Sequence, residues 1–276
     1  MFTKAAVLTA LTAAAFAVAA PAQAEPAATT ALPTANMEAV LKAAQIDPRR
    51  ADDTQTPGAH DSVLLVEQAL QAKGLLAATY VDGYFGTTTI TAYSQYQKSL
   101  GYTGIDASGL PGKTSLEKLG EGRYTVTAAV SAGSRIAYRG VTTNTRTKAM
   151  LLAAEGIAGI TVSLTQGGYN PGGVDASAGT HDGGGALDIS VSGMSSTTRT
   201  KLLTALRKVG FAAWYRTPDQ GFAYHIHAMA ISDPDLSSGA QHQTGDYYLG
   251  MNGLAGRGAD DGPSVAKVTW EEYQRG

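Results

Sequence analysis

Hydrophobic positions along the chain change their period once, and the change divides the sequence. From position 61 apolar residues recur at helical spacing. Val63, Val66 and Leu70 share one face of a helix that Asp61 can cap and Gly74 ends. A second helix is predicted over 87–100, with Ile90, Tyr93, Tyr96 or Gln97, and Leu100 on one face and Gly101 as its stop. A third, short one carries Leu116 and Leu119 and stops at Gly120. Three short helices within 61–120 predict a small all-α bundle with a thin core. Past about 122 the texture differs. "RYTVTAAV" and "ITVSLTQ" read as strands around the helix-like "TRTKAMLLAAEG". "ALDISVS" alternates with period two, a helix follows over 195–209, and "FAAWYR" and "YHIHAMAI" are further strands. Strands and helices without strict βαβ alternation predict an α+β domain over 122–276 with a mainly antiparallel sheet.

The segment ahead of the first helix changes the picture of where the chain works. An apolar run over 5–20 follows the single positive charge of Lys4 and ends in "PAQA", a small-residue cleavage pattern. Residues 1–24 are therefore expected to be a signal peptide, and the run is shorter than the ~20 residues of a spanning helix. The protein is expected to be secreted, with no membrane span after processing. Residues 25–60 read as a linker: "EPAATTALPTA" lacks periodicity, a short helix is placed over 37–45, and the polar "DPRRADDTQTPGAH" follows. The chain has no cysteine, so neither disulfides nor a lipidated N-terminal cysteine is available to it. A formal net charge of −2 with only 16% charged residues gives no electrostatic footprint for nucleic acid or an anionic membrane.

The chemistry concentrates in two short stretches, "THDGGGALDIS" and "AYHIHAM", which hold three of the five histidines. On a strand, residues i and i+2 project from one face. His225 and His227 thus point one way, and Asp188 shares a polar face with Ser190 and Ser192, so neighbouring strands can bring Asp188 and His227 to a common point. His181 ends a loop that Gly183, Gly184 and Gly185 allow to fold back tightly. Taken singly, a His-x-His pair is often solvent-facing or satisfied in a core, and an aspartate at a strand start is often a turn residue. Together, two imidazoles and a carboxylate around an open fourth position predict a catalytic zinc (Zn2+) site. Asp182 is a candidate for orienting a metal ligand from behind. Trp214 and Tyr215 are expected in the core or as walls of a cleft, and His60 and His242 at the surface.

Two resemblances sharpen this. "VDGYFGTTTITAYSQYQKSLG" followed by "GIDASGLPGKTSLEKLG" resembles the three-helix peptidoglycan-binding domain of bacterial wall enzymes. Asp82, Gly83, Phe85 and Gly86 match its motif before the second helix, Tyr96–Gln97 its aromatic–glutamine pair, and Gly109, Gly112, Thr114 and Leu119 its third helix. The spacing H-x6-D followed by H-x-H resembles zinc D-alanyl-D-alanine carboxypeptidases within the lysostaphin/hedgehog-like metallopeptidase group. "TQGGYNPGGVDASAGTHDGGGALD" looks like an actinobacterial subfamily of wall proteins. The resemblance implies His181, Asp188 and His227 as metal ligands and His225 as the group that assists the metal-bound water. The family usually carries an arginine upstream of the first metal histidine to polarise the substrate carbonyl. Gln166, Tyr169 and Asn170 occupy that region here, and the nearest upstream arginine is Arg146, on a predicted helix. Gln166 is then the neutral candidate for contacting the carbonyl. The expected protein is a monomeric, secreted zinc peptidase that binds peptidoglycan and cuts its stem peptides, D,D-carboxypeptidase-like. The alternative is a non-catalytic peptidoglycan-binding protein whose second domain keeps the zinc site without useful catalysis.

Overall fold

The first structural element lies inside the expected linker. The computed structural model describes residues 1–3 and 31–276, so the expected signal peptide falls, but for its first three residues, outside the described residues. Strand β1 (Thr34–Asn36) runs straight into helix α1 (Met37–Ile46). Asn36 caps that helix, its side-chain oxygen accepting the Ala39 N–H at 3.1 Å. Met37, Val40, Leu41 and Ala44 follow a helical period, and all four are fully buried or nearly so. This part of the expected linker is therefore core.

Helix α2 (His60–Ala72) buries Val63, Val66 and Leu70 as their spacing predicts. Asp61 does not cap it: the capping position is Ala59, and Asp61 lies in the first turn, where a negative charge is favourable beside the unpaired N–H groups. Helix α3 (Thr87–Ser99) and helix α4 (Lys113–Leu119) complete the helical part. The loop before α3 is pinned by a buried carboxylate. Glu67 on α2 accepts the N–H groups of Asp82 and Gly83 at 3.0 and 2.8 Å, and the Thr89 hydroxyl at 3.0 Å. Phe85 is buried below, its own N–H given to Asp47 at 3.0 Å. Gly83 sits at φ +78°, where any other residue would be strained, and the His60 ring lies against it.

Strand β2 (Thr125–Thr127) pairs in parallel with β1. Next come an antiparallel hairpin of β3 (Arg135–Tyr138) and β4 (Val141–Asn144), helix α5 (Thr145–Ala158), and strands β5 (Leu164–Gln166) and β6 (Ala186–Ser190). Helix α6 (Ser196–Lys208), strands β7 (Phe211–Arg216) and β8 (His225–Ala230), and helices α7 (Ser238–Tyr248) and α8 (Trp270–Arg275) follow. The main sheet has the order β5-β6-β8-β7, with every neighbour antiparallel, which makes the protein α+β. The hairpin, α7 and α8 had no counterpart in the predicted pattern.

Alternation along the strands divides the sheet into two faces. Leu187, Ile189, Phe211, Ala213, Ile226 and Ala228 pack against α5 and α6. The opposite face carries Ala186, Ala212, Trp214 and Met229, and these belong to the same apolar cluster as α1, α2 and α3. Residues 32–276 consequently form one compact unit. Among the described residues, no helix is long and apolar enough to cross a membrane.

Candidate metal centre

One row of cross-strand partners carries the site. Gln166, Asp188, His227 and Trp214 lie side by side on β5, β6, β8 and β7, and the next row is Ser190, His225 and Arg216. Because side chains alternate, all seven share the sheet face opposite α5 and α6. The predicted convergence of Asp188 and His227 is thus a consequence of register: they are direct partners, and an Oδ1 of Asp188 lies 2.8 Å from His227 Nδ1.

His181 arrives from the loop between β5 and β6. That loop doubles back on itself through N–H donation from Tyr169 to Gly183 and from Asn170 to His181, at 2.7 and 3.0 Å. The glycine run is what lets its backbone lie flat against its neighbours. A side chain at Gly183 would collide with the carbonyl of Asp235 and the Ser237 nitrogen, one at Gly184 with the Tyr169 hydroxyl, and Gly185 adopts φ +76°. The result is a buried His181 ring whose Nε2 lies 3.2 Å from Asp188 Oδ1 and 3.4 Å from His227 Nδ1.

The hydrogen bonds behind the rings decide which nitrogens face the centre. His181 Nδ1 donates to the Gly167 carbonyl at 2.9 Å, leaving Nε2 with a lone pair. His227 Nε2 lies 2.7 Å from Gln243 Oε1. The Gln243 amide orientation is itself assigned by its nitrogen donating to the Gly253 carbonyl at 3.0 Å, so the oxygen faces the ring and His227 Nε2 carries the hydrogen. Its Nδ1 then presents a lone pair to Asp188. Burial holds the His227 ring below the usual imidazole range, favouring this neutral form. Burial would raise the Asp188 carboxyl, but a proton shared with the facing nitrogens of His181 and His227 outweighs it and holds the group well below the ordinary carboxylate range. A carboxylate and two nitrogen lone pairs pressed together are stable only with positive charge between them, either a shared proton or a cation. Metal–ligand bonds of about 2.0–2.1 Å in a tetrahedron separate donors by roughly 3.3 Å. The observed separations of 2.8, 3.2 and 3.4 Å suit that cation. Among the described residues, this is the one group of three or more His, Cys, Asp or Glu side chains positioned to hold a metal.

His225 stands one row away. Its Nδ1 donates to the Ala223 carbonyl at 2.7 Å, and its Nε2 is 3.6 Å from Asp188 Oδ1 and more open to solvent than His227. The other expected contributors fall differently. Gln166 reaches the cavity wall, but its amide is engaged with the Ser177 hydroxyl at 3.2 Å. Asp182 stands behind neither ring; its carboxylate accepts the Gly172 N–H at 3.3 Å. The groups that orient the two rings are the Gly167 carbonyl and Gln243. Trp214 is buried beside the centre, its ring plane within 21° of that of His227 at 6.5 Å between centroids. Tyr215 faces the other way, as alternation requires, and stacks on Tyr224.

Two further residues of the site were not singled out from the sequence. Gln243 lies on α7, and nothing in its neighbourhood marks it. Arg216 was legible in principle, since "FAAWYR" gives it the same parity as Trp214. Together with the donor set, these residues line a cavity of about 560 Å3 whose other walls include Val174, Phe222 and Leu254. No protein-family model matches the chain, and neither a curated protein nor a solved structure was found to be similar to it.

Proposed function

We propose that the protein is an exported zinc peptidase of the bacterial wall, acting on peptidoglycan stem peptides in the manner of a D,D-carboxypeptidase. One observation carries the reading: His181 Nε2, Asp188 Oδ1 and His227 Nδ1 converge at the wall of a cavity, and each histidine has its other nitrogen already committed. Two neutral imidazoles and one carboxylate form a donor set suited to zinc that leaves a fourth position for water or substrate. When bound, zinc supplies Lewis acidity, making water more acidic near neutral pH and polarising a carbonyl. The remaining work falls to the chain. His225, with Nδ1 fixed as a donor to Ala223, has Nε2 free to take up and return a proton beside Asp188. Gln243 holds His227 in the tautomer that a ligand requires. The mostly apolar walls limit water around the reacting bond.

Export rests on the N-terminal pattern of the sequence, and the wall as substrate on the motifs over 81–120 and 181–227. The non-catalytic alternative draws on Gln166, whose amide is engaged with Ser177 where an arginine is usual in the group that the sequence resembles. The two readings separate in one experiment. The zinc-loaded mature protein is incubated with purified peptidoglycan, and soluble products are identified by mass. Release of D-alanine, absent from His225→Ala and Asp188→Ala controls, supports the peptidase. Peptidoglycan binding with no released fragment selects the alternative.

A further inference from the structure

Arg216 has no role in the reading above, and its setting is unusual. It is 2% exposed and projects from the site face of the sheet, with its guanidinium over the Trp214 ring at 5.0 Å. One terminal nitrogen, Nη1, donates to the Asn252 carbonyl at 2.9 Å. The other, Nη2, is buried without any partner, and no carboxylate among the described residues pairs with the group. A buried cation lacking an anion is unfavourable unless something supplies one. Burial pushes this guanidinium down to about 10, which still leaves it charged at neutral pH. Arg216 lines the same cavity as the donor set, and it is the one Lys or Arg in that lining, with Asp188 the one acidic residue. Once a divalent cation sits on Asp188 and two neutral histidines, the cavity carries net positive charge at both rows.

We infer that Arg216 is an anion-binding subsite for the free C-terminal carboxylate of the peptide, one residue beyond the bond presented to the metal row. Arg216 pairs with His225, and Trp214 with His227, so the two rows stand two strand residues apart, roughly 6–7 Å. Both rows open on the same cavity, so a ligand presented to the donor set extends past Arg216. The tie to Asn252 and the Trp214 ring fix the guanidinium, leaving Nη2 for the ligand. This assignment rests on the peptidase reading for the position of the carbonyl, and it makes the enzyme selective for chain ends over internal bonds.

The test compares a tripeptide ending in D-alanyl-D-alanine with the same peptide as its C-terminal amide, on the zinc-loaded protein. Hydrolysis is followed where it occurs, and calorimetric binding where it does not. The acid is expected to be preferred by about 10²-fold, the usual worth of a buried charge-assisted hydrogen bond. Arg216→Gln should remove the preference by weakening the acid alone, with zinc content unchanged. Equal handling of acid and amide by the wild type overturns the assignment, as does an equal loss on both peptides in the variant. Should Arg216→Gln fold poorly, the wild-type comparison still decides. A preference in binding without any cleavage retains the subsite and sinks the peptidase, whereas cleavage of both peptides alike does the reverse.

Discussion

Replacing Gln243 by methionine tests whether zinc binding depends on a tautomer. In the wild type the Gln243 oxygen takes the Nε2 hydrogen of His227 at 2.7 Å, and the amide is locked by Gly253 at 3.0 Å. Methionine keeps the volume and the apolar fit but cannot accept that hydrogen well. The ring then has a better option without metal: it can carry its hydrogen on Nδ1 and donate to Asp188, 2.8 Å away. In that form the lone pair needed by the metal is gone. Zinc must reverse the tautomer, break the new bond and leave a buried N–H unpaired, which costs about 1–3 kcal/mol. Affinity should fall about 10–100-fold, the range seen when groups behind metal-binding histidines are removed. Stability of the metal-free protein should change little, because the ring has a partner in either state. Competition against a chelator of known affinity measures the first, and urea unfolding of the metal-free protein the second. Gln243→Glu should hold the same hydrogen and keep affinity at or above wild type. Unchanged zinc affinity in Gln243→Met would refute the argument, as would an affinity loss that appears only alongside an equal loss of metal-free stability.

Two further outcomes follow from the fold. Leu41→Ala, in the segment that reads as linker, removes a fully buried side chain from α1 and should destabilise the whole protein by about 2–5 kcal/mol in urea unfolding; a loss below about 1 kcal/mol would mean α1 is peripheral. Glu67 is raised by burial to about 7, so the folded state holds a proton that the unfolded chain releases near 4.5. Its contribution is complete below about pH 4.5 and declines as pH rises through 7, by up to about 3 kcal/mol. Glu67→Gln should flatten that part of the stability curve relative to wild type, and parallel curves for the two proteins would contradict it.

What could be read in the sequence followed from local periodicity. The alternation of "ALDISVS" and "AYHIHAM" placed Asp188 and His227 on strand faces, and the pairing of β6 with β8 supplied the meeting point. Helices α2, α3 and α4 were visible because apolar residues recur at helical spacing and glycines stop them. The core role of α1 was not, although Met37, Val40, Leu41 and Ala44 have the right spacing, because a short helix after a Pro/Ala/Thr stretch does not announce its partner. Gln243 was out of reach for a different reason. Its role comes from a crossing of α7 over the sheet, about which the sequence around it carries no signal. Asp182 shows the converse error: adjacency to His181 in sequence suggested support for that ring, while the loop turns its carboxylate away to Gly172.

The burial of α1 in an apolar cluster continuous from α2 and α3 to the sheet has a mechanical consequence. A binding module on a loose tether samples a sphere, and its reach is tuned by tether length. Here the turn at 104–107 comes so close to the glycine loop that a side chain on Gly183 would strike Ile105. The helical part and the glycine loop of the metal centre therefore keep one fixed offset and orientation. Peptidoglycan held by the helical part, as proposed, would meet the cavity at a set stride along its length, like work held between the jaws of a clamp. Lengthening the segment between them would loosen the jaws without extending the grasp.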